Sequence, residues 1–194
     1  MSGHKSVGFN SKMVHVVLPL LALASLAGSA PLPSIDRRNL GVIGLTLFKD
    51  EVHDAEGKLG PAAVFHPPGD PFAKRCYAST EKNGTVLILE DWAGTLVGFQ
   101  ILPAPPPGFQ KCTVTPIVTP QISTEGGLKL GLTEKEVLKL LGPPTKRTKD
   151  TFVYHEDVQS SRKGSEGLFE FTDLEIKLIN AKVVSIHVVH TLRD

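Results

Sequence analysis

The chain has 194 residues, of which 41% are hydrophobic and 21% charged, with a formal net charge of +1. Such a balance excludes nucleic acid as the main partner, because phosphate binding needs a concentrated basic surface. The length suits one compact domain or two small ones.

Lys5 and Lys12 give the N-terminus a positive flank, and Met13 to Leu26 is an apolar run carrying one His. The run is short for a membrane span, and the small residues Ala24, Ala27, Gly28, Ser29 and Ala30 follow it. This three-part plan predicts a secretory signal peptide over 1–30, hence a secreted or periplasmic protein with no stable membrane insertion after cleavage. Leu26-Ala27-Gly28-Ser29 has the shape of a lipoprotein box, but Ser29 stands where the acylated Cys must be.

After a short arm, Pro31 to Asn39, the phrase Gly44-Leu45-Thr46 opens a segment closed by Leu59-Gly60-Pro61, and Gly131-Leu132-Thr133 opens another closed by Leu141-Gly142-Pro143. Repetition of a phrase predicts repetition of a supersecondary unit. In the first copy Thr46 is a candidate helix cap, and Phe48, Val52, Ala55 and Leu59 line one helical face. A Pro-rich loop, His66 to Pro71, precedes strand-like stretches from Cys76 to about Thr80, from Thr85 to Glu90 and from Thr95 to Ile101. Asn83-Gly84 is a strong hairpin signal, and a turn falls near Trp92-Ala93-Gly94. Ala104 to Gly108 reads as a stiff connector.

Beyond it, Lys111 to Ser123 is extended but interrupted by Pro116 and Pro120, which confine it to an edge. Thr133-Glu134-Lys135-Glu136 has the pattern of a capping box, with Val137, Leu140 and Leu141 as the buried face of the helix. Strands are expected over Phe152–Glu156, Leu168–Ile179 and Lys182–Leu192, with a turn at Asn180-Ala181. Short strands joined by tight turns are antiparallel, and an amphipathic helix needs a sheet to cover its stripe. The expected fold is therefore α+β. It comprises two tandem units, 31–108 and 109–194, each a short helix packed on a small three- to four-stranded antiparallel sheet.

Few residues point to chemistry. Cys76 and Cys112, an even count in an exported chain, predict one disulfide; neither has a His or third Cys at zinc-ligand spacing. Of the histidines, His187 and His190 lie three apart on one strand and so face opposite ways. Asp50-Glu51, Asp54-Glu56 and Glu90-Asp91 are carboxylate pairs without the separated environments that acid–base catalysis needs. There is no nucleophile elbow and no phosphate-cradling loop. Lys146 to Lys149, and Gly164 to Gly167, read as solvated loops. No catalytic residue, metal or cofactor is expected. Trp92, at a strand end beside Ala93-Gly94, is a candidate protein-binding anchor, and Tyr154 and His187 on the later strands are the other candidate contacts.

The stretch Gly127 to Val137, closed by Leu140-Leu141-Gly142-Pro143-Pro144, resembles the start of a small exported bacterial domain found in two groups. One is the small lipoprotein subunit of the outer-membrane β-barrel assembly machinery; the other is the tandem-repeat β-lactamase inhibitor proteins. The resemblance implies a short helix on an antiparallel sheet and action through a protein partner. The expected function is an exported, non-enzymatic protein-binding module, inhibitor-like or an envelope accessory. A small exported hydrolase and a structural envelope protein without a specific client are the alternatives.

Overall fold

A computed structural model describes residues 34–81, 84–109, 111–159 and 167–193, all within one compact unit spanning Leu32–Asp194. The expected signal peptide, Asn83 of the Asn83-Gly84 hairpin and most of the Gly164–Gly167 loop lie outside the described residues.

A 3-10 turn, Arg37–Leu40, leads into a two-stranded hairpin, β1 (Gly41–Val42) and β2 (Leu45–Thr46). Helix α1 (Val52–Leu59) follows, then β3 (Val64–Phe65), β4 (Ala73–Ala78), β5 (Val86–Trp92), β6 (Thr95–Leu102) and β7 (Thr113–Val114). Helix α2 (Glu134–Leu141) precedes β8 (Lys146–Arg147), β9 (Thr151–Gln159), β10 (Phe169–Ile179) and β11 (Lys182–Arg193). Strands β3 to β11 form one nine-stranded sheet in the order β3-β4-β5-β6-β11-β10-β9-β8. β7 pairs in parallel with β4, and the other pairings are antiparallel.

The expectation of two tandem helix-on-small-sheet units is overturned by this topology: the protein is mostly β, with two eight-residue helices and a single large sheet. The join is β6 to β11, where Gly98–Ile101 pair with Ile186–Val189. Two separate sheets would have left both of these strands with unpaired backbone edges. They would also have split a core that is continuous, since Leu87, Phe99 and Ile101 pack in the same buried cluster as Ile176, Ile186 and Val188. Ala55 and Leu59 of α1 and Val137 of α2 belong to that cluster, so both helices cover the same face of the sheet. This is the inner face.

The two copies of the repeated phrase fold differently. Thr133 caps α2 as expected: its hydroxyl accepts the Glu136 N–H at 3.3 Å, and Glu136 Oε2 accepts the Thr133 N–H at 2.7 Å. Val137 is the buried position of α2, while Leu140 points outward at 41% exposure and Leu138 packs on the core instead. Thr46 does not cap α1. It ends β2, and its N–H goes to Asp50 Oδ2 at 2.6 Å, closing a turn in which Phe48 has φ 61°. A left-handed residue cannot sit inside a right-handed helix, so α1 starts only after Glu51, whose N–H is taken by Asp54 Oδ2 at 2.9 Å.

Three hairpins turn on two left-handed residues: Ile43-Gly44, Ala93-Gly94 and Asn180-Ala181. That geometry matches the right-handed strand twist, and it keeps β5–β6 and β10–β11 tightly connected. No helix among the described residues is long and apolar enough to cross a membrane.

Candidate functional site on the outer face of the sheet

Strand alternation sends a second set of side chains to the face away from the helices. At the β4–β6 end this outer face is covered. Cys76 and Cys112 form a disulfide, with Cα atoms 4.6 Å apart. Around it Val86, Ile88, Leu102 and Phe109 make a small apolar cluster. Phe109 also packs against Phe65 with ring centroids 4.9 Å apart.

Next to that cluster the outer face turns polar although it stays buried. Glu90 of β5 is 1% exposed. Its Oε1 accepts from Lys74 Nζ at 2.8 Å and from Gln100 Nε2 at 2.5 Å, and its Oε2 lies 3.3 Å from His187 Nε2. Lys74 Nζ also reaches Asp70 Oδ2 at 2.9 Å. Burial by itself would raise the Glu90 carboxyl, but His187 and Lys74 together outweigh it and hold the group down at about 2. The same carboxylates raise the Lys74 ammonium against the opposing pull of its own burial. The network needs Gly98: a Cβ there would lie 2.8 Å from Glu90 Oε2 and 3.0 Å from the Val188 carbonyl oxygen.

From β11 to β9 the outer face is uncovered. His187 stands opposite Glu175, and Val189 opposite Asp173, which in turn faces His155. His155 Nδ1 is 2.7 Å from Asp173 Oδ1, and Lys177 Nζ is 3.2 Å from Glu175 Oε1. The Arg193 guanidinium lies over the Phe171 ring, 5.3 Å from its centroid. Between these groups runs a groove of about 360 Å³ with Phe72, Val153 and Val189 as its apolar walls and Asp173, Glu175, His187 and Arg193 as its polar ones.

Of the candidate contacts read from the sequence, His187 lies on this face, half-buried over Glu90. His190 points to the inner face, fully buried, with Nδ1 2.8 Å from Thr172 Oγ1. Trp92 sits at the β5–β6 hairpin, 58% exposed, beside an apolar pocket with Phe48 and Leu192. Tyr154 is corrected: it is 2% exposed, its hydroxyl donates to the Gly142 carbonyl at 3.0 Å, and burial pushes that hydroxyl up to about 12. As a core residue tying β9 to the end of α2, it offers no contact surface.

Lys74, Glu90, Gln100, Asp173, Glu175 and Arg193 are absent from the sequence-based candidates. For Glu90, Asp173 and Glu175 the sequence carried a signal. Glu90 ends the apolar run Val86-Leu87-Ile88-Leu89, where an ionised residue demands a partner. In β10, alternation puts Phe169, Phe171, Asp173, Glu175 and Lys177 on one face, a face too polar to be core. Among the described residues no group of three or more His, Cys, Asp or Glu is placed to hold a metal ion.

No protein-family model and no curated protein matches the chain. Solved structures that resemble it include an extracellular SCP-domain protein of Bacillus anthracis str. Ames, at 8% identity and TM-score 0.43, covering 94% of this chain and 50% of that one. A cysteine-rich secretory protein of Staphylococcus aureus Mu50 matches at 12% identity and TM-score 0.42, over 82% of this chain and 51% of that one. The chain thus spans about half the length of these two. A third match is a candidate β-lactamase inhibitor protein of Streptococcus mutans, at 15% identity and TM-score 0.23, over 74% of this chain and 82% of that one. All three likenesses are distant.

Proposed function

We propose that this chain is an exported, non-enzymatic protein-binding module that docks its partner on the uncovered outer face of the sheet. The observation that carries the reading is the contrast within one face. At one end it is sealed by a disulfide and a loop. At the other it presents Phe171, Val153, Val189 and a set of charged side chains, with the groove running between them. A sheet fixed on its other side by a continuous core is rigid, and a rigid surface loses little entropy on binding. The export reading is supported by the leader-like pattern of residues 1–30 and by the disulfide, a bond that persists in oxidising compartments. Within this class the chain acts either as an inhibitor-like binder of an extracellular enzyme or as an accessory in the envelope.

The test is capture from native envelope and secreted protein with the full chain and a Val189→Arg variant in parallel. A partner held by the former and lost by the latter, at unchanged urea stability, supports the reading. Equal retention by both overturns it.

One observation favours a second reading, a small exported hydrolase. Glu90 faces His187 Nε2, so the imidazole is oriented as a general base at a groove wall. Absence of ester and peptide hydrolysis by the full chain would remove this reading, and hydrolysis that survives His187→Ala would remove His187 as its base.

A further inference from the structure

We propose that the end of the sheet where α2 meets the β10–β11 turn is a second docking site, for an acidic segment of a protein partner that carries an apolar side chain between carboxylates. The surface shares no lining residue with the outer-face groove, so the inference stands apart from the reading of that groove.

Two hollows meet there. One, of about 460 Å³, is lined by Leu138 of α2 and Ala181 of the turn, with Lys135 and Lys182 beside them. The other, of about 430 Å³, is lined by Leu178, Ile179, Lys149 and Asp150. Glu134, Asn180 and Ala181 line both. Ile179 is 61% exposed, so apolar surface is left open at the turn.

The charge around the hollows is one-sided. Residues 127–150 and 178–183 contain no histidine, so the balance does not depend on an imidazole. Their carboxylates are Glu134, Glu136 and Asp150. Against these stand Lys135 and Lys139 on α2, Lys146 and Arg147 on β8, Lys149 just after it, and Lys129 and Lys182. Even with every carboxylate given to a cation, four cations stay unmatched. Among the described residues the one ion pair within this set is Arg147 with Glu134, 2.7 Å apart, while Glu136 closes the α2 cap. The next charge along β10, Lys177, is matched by Glu175. Exposed ammonium groups beside an open apolar hollow select a partner of opposite charge with an apolar side chain. A bilayer is flat on this scale and cannot fill hollows on either side of a turn. An extended segment crossing Asn180-Ala181 can, with its apolar side chain on Leu138 and its carboxylates on Lys135 and Lys182.

The experiment titrates the full chain, observed by backbone amide NMR, with the blocked tripeptides Asp-Leu-Asp, Asn-Leu-Asn and Asp-Gly-Asp. Asp-Leu-Asp is expected to shift the amides of Leu138, Asn180, Ala181 and Lys182 saturably, about five times more tightly than its neutral Asn-Leu-Asn isostere, the fold-change of two exposed ion pairs. Asp-Gly-Asp should bind more weakly than Asp-Leu-Asp. The Lys135→Gln/Lys182→Gln double variant should lose the acidic preference while keeping the urea midpoint of the parent, since both side chains are exposed. No saturable shift with Asp-Leu-Asp, equal binding of the acidic and neutral peptides, equal binding of the leucine and glycine peptides, or an unaffected double variant overturns the proposal. Cosedimentation with phosphatidylglycerol vesicles but not phosphatidylcholine vesicles, without any peptide preference, also overturns it and assigns the basic surface to lipid. Shifts centred on Val153 and Val189 instead would place the peptide in the outer-face groove and remove this second site.

Discussion

Replacing Glu90 with Gln isolates the electrostatic part of the buried network, because the amide keeps the shape and imitates the protonated acid. The Glu90 carboxyl sits at about 2 in the folded protein against its ordinary 4.5. At about 1.4 kcal/mol per pH unit, that gap corresponds to about 3 kcal/mol of stability. The folded value is depressed, so this contribution is fully present above about pH 4.5 and is lost as pH falls toward 2. At pH 7 the Glu90→Gln variant should be less stable by about 3 kcal/mol, a melting point lower by about 6–12 °C for a domain of this size. The assay is urea unfolding of both proteins at pH 7, 5, 3.5 and 2.5, with the disulfide intact. The difference between the two should hold from pH 7 to 5, shrink by 3.5 and fall to about a quarter at the lowest pH. Other acids titrate equally in both proteins and cancel. Parallel loss of stability by the two proteins across the acid range would refute the argument that Lys74 and His187 hold this carboxylate ionised.

Gly98→Ala pushes a methyl into Glu90 Oε2 and the Val188 carbonyl and should cost about 1–3 kcal/mol as overpacking, read as a lower urea midpoint. Reducing Cys76–Cys112 frees a loop of 36 residues and should cost about 4 kcal/mol in the chain-entropy model, read by urea unfolding with and without dithiothreitol. Thr133→Ala removes the α2 cap and should cost about 1 kcal/mol, whereas Thr46→Ala, outside any helix cap, should cost distinctly less. Equal losses for the two threonines in thermal melts would contradict their different roles.

The ends of α2 were legible to the residue, because its cap and its Gly-Pro stop agree, whereas its buried face was not, since Leu140 points outward and Leu138 packs in its place. The turns at Ala93-Gly94 and Asn180-Ala181 were legible for the same local reason. The start of α1 was not: helical spacing of Phe48 with Val52 competes with Asp50, whose carboxylate takes the Thr46 N–H and closes a turn instead. Nor was the single sheet, since nothing local in Gly98–Ile101 names Ile186–Val189 as its partner. Periodicity marks which face of a strand is apolar and is silent about which strand lies beside it. The outer-face site was half visible. His187 stood out as a residue type, but Glu90, Asp173 and Glu175 become a constellation only once β5, β10 and β11 are brought together. Tyr154 misled because an aromatic on a half-polar strand reads equally well as anchor or core.

The join between β6 and β11 also sets the order in which the chain can assemble. Each flanking hairpin closes over two residues, whereas Glu90 and His187 meet from 97 positions apart. Closing so long a loop costs entropy before any contact rewards it. The β5–β6 and β10–β11 hairpins can therefore form early and separately, and the four-pair join, with the Glu90 carboxylate beneath it, is the late step that makes two ribbons one cooperative structure. Pulse-labelled hydrogen exchange during refolding should protect Leu89 and Ile176 before Phe99 and Val188, and simultaneous protection would argue for a nucleus that already spans the join.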